Sequence, residues 1–172
     1  MSGEVLGRES IAELVRQEPP LIGDFRSLDD QLQPNGFDLT LKEVSKLATP
    51  GSMGQGAETR AVSKTRPLIF DQSGWLPLPA GSYLITFNEV VALPLDLMAL
   101  GRPRSSLLRS AVSIHTAVWD AGYQGRSQAL MVVHHPQGYR VKQGARLMQL
   151  VFFRLGTAAS QGYQGKYMGE NL

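Results

Sequence analysis

The sequence predicts an all-β protein: one domain over residues 1–172, a distorted barrel or jelly-roll-like fold with one or two short helices. Three observations predict it. The 18 glycines and 10 prolines fall between short apolar runs, which favours many strands and turns. Phe37, Leu39 and Leu41 alternate at the period of a strand. Only one stretch, at the N-terminus, carries helical spacing. With 172 residues, 42% of them hydrophobic and 19% charged, the chain fits one domain with a sizeable core.

Ser10-Ile11-Ala12-Glu13 reads as a capping box that opens a helix, and Ile11, Leu14 and Val15 continue it until Pro19-Pro20. The turn at Pro34-Asn35-Gly36 leads into a strand with Phe37, Leu39 and Leu41 on one buried face. Residues 50–65 are rich in Gly, Ser and charge and predict a long exposed loop. Strands are expected at Pro67 to Phe70, Gly81 to Phe87 and Leu93 to Leu97. Ala111 to Trp119 and Arg126 to His134 read as a hairpin hinged at Ala121-Gly122, with a second turn at His134 to Gly138. Arg146 to Leu155 is a final strand, apolar on both faces. Residues 160–172 show no core-forming pattern and read as a flexible tail.

Several function classes fall away at this level. The net charge is +2, and no dense basic stretch argues for nucleic acid as a partner. Zero cysteines excludes disulfides, thiolate catalysis and Cys-based zinc sites. The start of the chain lacks an apolar core of signal-peptide length, and Val90 to Leu100, broken by Pro94 and Asp96, is too short to cross a bilayer. A cytoplasmic protein without membrane contact is expected. His115, His134 and His135 have no partner at metal-ligand spacing.

Chemistry concentrates between Gly101 and Gly125. A short helix beginning at Arg104-Ser105-Ser106 would present free N–H groups and two hydroxyls, with Arg104 and Arg109 beside them; this suits phosphate oxygens. The alternative is an ordinary turn with solvated arginines. Asp120 ends an apolar strand at a loop rim, where a carboxylate can take a proton from a water attacking phosphorus; it also suits a turn aspartate bonded to its own backbone. Tyr123 suits a floor beneath a sugar or plain hairpin packing. Asp38, at an otherwise apolar strand start, reads either as a cap or as a group ordering water around a phosphate-bound Mg²⁺. Together these residues point to a nucleoside triphosphate.

The pieces occur in an order that resembles the trimeric dUTPase and dCTP deaminase superfamily. Gln33-Pro34-Asn35-Gly36-Phe37-Asp38-Leu39 is similar to its first motif and Arg104-Ser105-Ser106-Leu107-Leu108-Arg109 to its second. Asp120-Ala121-Gly122-Tyr123-Gln124-Gly125 resembles the third, Gly144 to Phe152 the fourth, and Tyr163-Gln164-Gly165-Lys166-Tyr167 a tail of the deaminase-like branch. The resemblance implies a β-barrel homotrimer with sites between subunits and Mg²⁺ held mainly by the triphosphate. It implies that Asp120 activates the water attacking the α-phosphorus of dUTP. Arg104, Ser105, Ser106, Arg109, Thr116, Tyr123, Gln149, Lys166 and Tyr167 would contact substrate, with Tyr123 excluding ribose and the 114–120 backbone reading uracil.

Two departures separate the branches. The deaminases of the superfamily carry a general-base glutamate ten residues after the third-motif aspartate, where this chain has Leu130, and Arg126 to Val133 contains no carboxylate. Hydrolysis of dUTP is therefore expected. The glycine-rich fifth motif of typical dUTPases is also absent, which keeps two alternatives open: a dCTP deaminase, mono- or bifunctional, or a non-catalytic nucleotide-binding regulatory trimer.

Overall fold

The computed structural model describes residues 3–172. In chain order its elements are β1 (Glu4–Val5), α1 (Arg8–Val15), β2 (Ile22–Gly23), α2 (Leu28–Gln31), β3 (Leu32–Gln33), β4 (Gly36–Leu47), a 3-10 turn (Ala57–Thr59) and β5 (Thr65–Pro67). There follow β6 (Trp75–Leu78), β7 (Gly81–Phe87), β8 (Val90–Ala92), β9 (Leu97–Pro103), α3 (Ser105–Leu108), β10 (Val112–His115), β11 (Gln124–Gly125), β12 (Gln128–Val133), β13 (Tyr139–Lys142) and β14 (Arg146–Arg154). The expected all-β distorted barrel is the fold observed.

The largest sheet runs β1-β14-β4-β7-β12-β10, with β3 and β5 paired to β4 and β9 paired to β14; β11-β8-β2 and β13-β6 form two smaller sheets. Phe37, Phe87 and Phe152 are fully buried at the centre of one core, each contributing about 1.5–3 kcal/mol by leaving water. Strand β14 organises the region that matters for function, pairing with β4 on one side and β9 on the other. A register shift between Arg146 and Met148 bends it. Gly36 accepts that bend: a Cβ there would stand 2.2 Å from the Leu150 carbonyl oxygen and 2.8 Å from Gln149 Cγ. The close approach sets Gln149 opposite Asp38 on β4 and opposite Arg102 on β9.

Strand β7 and the turn at 134–138 fall where the sequence places them. Strands β10 and β12 pair antiparallel as expected, Val112 opposite Val133. However, β10 ends at His115 rather than Trp119, and residues 116–127, with β11 paired to β8, separate the two strands in place of a tight hairpin. Other elements differ for tertiary reasons. Helix α1 starts at Arg8 with Gly7 as N-cap and no side-chain cap, so Ser10 lies inside the first turn and there is no capping box. Long-range bonds fix that start: Leu6 N–H donates to Phe152 C=O and Arg8 N–H to Pro34 C=O, both at 3.0 Å. Strand β4 is buried on both faces from Gly36 to Leu41, and α1 and α2 both pack against it. The strand expected at Pro67–Phe70 is shifted to Thr65–Pro67. Leu93–Asp96 is the turn between β8 and β9 rather than a strand, since Pro94 donates no ladder bond. Helix α2 and strands β6, β8 and β13 are too short to register as periodic runs. Among the described residues the few short helices are α1, α2 and α3, beside the 3-10 turn.

One buried network ties the N-terminal segment to β4. The fully buried Glu89 carboxylate accepts from Thr40 N–H at 2.8 Å, Thr40 Oγ1 at 2.6 Å and Gln31 Nε2 at 2.7 Å. Gln31 also donates to the Asp38 carbonyl at 2.9 Å and accepts from the Arg26 and Ser27 amides. Burial pushes the Glu89 carboxyl above its ordinary value of 4.5, against the pull of those hydrogen bonds. A native-state pKa above the unfolded one means that the native protein binds the proton more tightly. The group therefore favours folding below its unfolded pKa, and the contribution fades as pH climbs through the native value. Glu89→Gln would turn an amide nitrogen toward these donors and cost about 1–3 kcal/mol. The stability gap between wild type and this variant should be widest below about pH 4.5, the ordinary carboxyl value, and narrow as pH rises above it, as read by urea unfolding.

Candidate active site

The residues expected to act gather in two places. The first is a cavity of about 640 Å³ whose lining includes Ala117, Val118, Trp119, Asp120, Tyr123 and Gln128, with Tyr163, Tyr167 and Glu170 of the C-terminal segment closing one side. Trp119 exchanges backbone hydrogen bonds with Ala99 on β9, at 2.9 and 3.1 Å, and so anchors the loop that follows. Asp120 stands next, exposed at the rim. Its turn is closed by Tyr123 N–H donating to the Asp120 carbonyl at 3.1 Å. Among the described residues its carboxylate has neither hydrogen bond nor ion pair, so the reading as a self-bonded turn aspartate does not hold. Thr116, Ala117 and Val118 likewise have no backbone hydrogen bonds among the described residues. Of these, Ala117 and Val118 line the cavity and leave donors and acceptors free along its edge.

Tyr123 is both a packed aromatic and a cavity wall. It is buried, its ring meets Tyr163 edge-on at 5.8 Å and 67°, and its hydroxyl donates to Glu170 Oε1 at 2.8 Å. Burial, and then the Glu170 carboxylate, hold its phenol well above the usual range, so it stays a neutral donor. Gly122 makes room for the tail here. Its φ is +80°, and a Cβ would stand 2.6 Å from Gly162 Cα.

The second group surrounds Asp38. This buried carboxylate pairs with Arg104 and lies 3.5 Å from Arg146 Nη1, while Gln149 is its partner across the ladder. Burial raises the Asp38 carboxyl; Arg104 and then Arg146 pull it back. Its side chain is thus committed to two arginines, not to a cap. Arg104 N–H donates to Leu147 C=O at 2.9 Å, which fixes the start of α3 against β14. The first-turn amides of Ser105 and Ser106 have no intrahelical acceptor and face solvent with their hydroxyls. Arg109 follows as the exposed C-cap of α3.

The two groups do not meet within one chain. Asp120 follows the Trp119–Ala99 bridge, and Arg104 lies five residues further along β9, roughly 16 Å at about 3.3 Å per residue. Thr116 sits between them: a Cβ on Gly101 would come 3.2 Å from its Cγ2. Lys166 is exposed, 6.0 Å over the Tyr167 ring, and is not part of the cavity lining. Arg146, Tyr163 and Glu170 were not singled out from the sequence. Arg146 lies within the fourth-motif stretch and Tyr163 opens the tail stretch, whereas Glu170 lies outside every motif. Among the described residues no three histidines or carboxylates come together as a metal cage. With Asp38 bound to arginines, the donor set fits a cation carried by substrate phosphates better than one held by side chains.

No described helix is long and apolar enough to cross a membrane. Residues 5–155 match the family model described as "dCTP deaminase-like". A probable deoxyuridine 5'-triphosphate nucleotidohydrolase of Methanosarcina mazei is 42% identical over 167 residues, covering 97% of this chain and 98% of that protein. One of the same description from Archaeoglobus fulgidus is 43% identical over 168 residues, covering 98% of each. Among solved structures, the 2'-deoxycytidine 5'-triphosphate deaminase of Agrobacterium tumefaciens superposes with a TM-score of 0.69 at 25% identity, over 90% of this chain and 49% of that one, so the present chain spans about half its length. A dUTPase of Staphylococcus bacteriophage 80alpha, with a TM-score of 0.50 and 15% identity over 95% of this chain and 97% of that one, shares the fold. A model matched across most of the chain, relatives aligned nearly end to end and a barrel with the motifs in order lead to one conclusion: the chain belongs to the dCTP deaminase-like family.

Proposed function

We propose that this protein is a dUTP diphosphatase, hydrolysing dUTP to dUMP and pyrophosphate. The observation that carries the reading is the Asp120 carboxylate, unpartnered at the cavity rim beside free main chain at 116–118 and the Tyr123 ring. The aligned relatives described as deoxyuridine triphosphate nucleotidohydrolases support it.

Uracil presents N3–H as a donor and O4 as an acceptor. Free backbone groups along Thr116 to Val118 match that edge, and cytosine, with both reversed, would leave them unpaired. The deoxyribose packs on Tyr123. Asp120 accepts the proton of a water as its oxygen attacks the α-phosphorus, and pyrophosphate departs as the bond to the α-phosphorus breaks. Arg104, Ser105 and Ser106, supported by Gln149, hold the phosphates, and Asp38 orients Arg104. Mg²⁺ brought by the triphosphate would, when bound, supply neutralisation of the phosphate charge beside Arg104, Ser105 and Ser106.

Within one chain Arg104 lies five residues beyond Ala99, the bridge partner of Trp119, a span of roughly 16 Å at about 3.3 Å per residue that sets it apart from Asp120. A homotrimer in which one subunit lends its Arg104 group to the next subunit's Asp120 joins the halves. The exposed apolar side chains Leu108, Val118 and Val62 support such an association. Deamination finds no base here. Leu130 pairs with Leu84 and His115 on neighbouring strands, and the cavity carboxylate besides Asp120, that of Glu170, is bonded to Tyr123.

Parallel incubation of dUTP, dCTP, dTTP and UTP with Mg²⁺, following pyrophosphate and ammonia, tests the reading. Pyrophosphate from dUTP alone is expected. Ammonia from dCTP would establish the deaminase, and tight dUTP binding without turnover by a folded trimer would establish a regulatory protein.

A further inference from the structure

The C-terminal segment is stitched to the third-motif loop. Tyr163 N–H donates to Ala121 C=O at 2.8 Å, Gly169 N–H to Gln124 C=O at 2.8 Å and Arg126 N–H to Glu170 C=O at 2.9 Å. Asn171 Nδ2 donates to the Arg126 carbonyl at 2.9 Å, and Arg126 Nε returns a bond to the Asn171 carbonyl at 3.1 Å. Glycines stand where the two segments touch: a Cβ on Gly125 would lie 3.2 Å from Glu170 Cγ and 2.7 Å from the Tyr123 hydroxyl. This stitching delivers a single carboxylate, that of Glu170, to the one polar atom of the Tyr123 side chain.

A ring excludes a 2'-hydroxyl only if it does not yield. One added oxygen is accommodated by a tilt of well under 1 Å at the ring edge, so the strength of exclusion is set by what prevents that tilt. On its own loop Tyr123 has packing but no hydrogen-bond partner for its hydroxyl. The docked tail supplies the acceptor in Glu170 and the edge-on neighbour in Tyr163.

We propose that Glu170 is a positioning residue for sugar selection: by accepting the Tyr123 hydroxyl it locks the ring, so that discrimination of dUTP from UTP requires the docked tail. The proposal rests on the reading of Tyr123 as the floor beneath the deoxyribose. It assigns specificity to the tail rather than shielding of the reaction from water.

The test is kcat/KM for dUTP and for UTP in the full-length protein, its Glu170→Ala, Glu170→Gln, Tyr123→Phe and Tyr123→Ala variants, and the Glu170→Ala/Tyr123→Phe double variant. Glu170→Ala should lower the dUTP:UTP ratio by about tenfold, mainly through faster UTP turnover, as expected for a sub-ångström loss of positioning. Tyr123→Phe should do the same, and the double variant should be no worse than either, because both remove one hydrogen bond. Glu170→Gln, whose amide oxygen still accepts, should keep most of the ratio. A wild-type ratio in Glu170→Ala, alongside a collapsed ratio in Tyr123→Ala, would overturn the lock and leave the sugar floor standing. An unchanged ratio in Tyr123→Ala would overturn the floor and the lock with it. An equal fall for both substrates in Glu170→Ala would mean shielding and would also overturn the proposal.

Discussion

Asp120→Asn should bind dUTP with little loss of affinity while pyrophosphate release falls by about 10²–10⁴-fold, the contribution of a positioned general base. The substitution preserves size and leaves the surrounding bonds untouched, since only the Asp120 backbone carbonyl holds the turn, through Tyr123 N–H. What disappears is the capacity to take a proton from water. In kinetic terms kcat and kcat/KM fall together with KM nearly constant, the signature of an interaction made only in the transition state. Equilibrium binding of a non-hydrolysable dUTP analogue, beside single-turnover pyrophosphate release, measures both halves. A variant that loses affinity in step with rate would assign Asp120 to substrate binding.

Arg104→Ala should produce the opposite split, and a second effect on stability. If Arg104 holds phosphate oxygens as proposed, its loss weakens charge-assisted bonds of about 1.5–3 kcal/mol, so kcat/KM should fall by about 10–10²-fold, mostly through KM. The same change strips the buried Asp38 of its nearest cation, leaving Arg146 at 3.5 Å. Burial already raises the Asp38 carboxyl, and without Arg104 it rises further. The variant should therefore unfold at lower denaturant concentration at neutral pH and recover part of that loss on acidification, as protonated Asp38 no longer buries a charge. Arg104→Lys retains the charge without the planar fork and should fall between the two. A Km unchanged for dUTP in Arg104→Ala would remove Arg104 from the phosphate site.

How far the sequence revealed this architecture depends on what each residue answers to. The alternation at Phe37, Leu39 and Leu41, and the apolar run of β14, are local consequences of burial and could be read directly. Asp120 could be picked out as a carboxylate following an apolar stretch, although β10 ends at His115 and the residue stands in the loop beyond it. The start of α1 was not legible, since the carbonyls of Phe152 and Pro34 fix it from distant parts of the chain. Asp38 was noticed as a charge in an apolar strand, but its partner Arg104 lies 66 residues away. Glu170 gave no signal at all. Its significance comes from tail docking, which rests largely on backbone hydrogen bonds that any non-proline residue can make.

The ladder between β9 and its neighbours has a consequence for how this protein can change over time. Residues 50–60 form an exposed excursion between β4 and β5, short of the Val62 and Ser63 that line the cavity, and additions or losses there alter mainly surface. The five steps from Ala99 to Arg104 have no such freedom. They are held against β14 with Met148 opposite Pro103 and Phe152 opposite Ala99. One residue inserted there would invert every later side chain on the strand and carry Arg104 away from Asp38. β9 thus sets a fixed spacing between the bridge that anchors the Asp120 loop and the start of α3 at Arg104, and its buried Leu97 and Ala99 leave little room for that spacing to change.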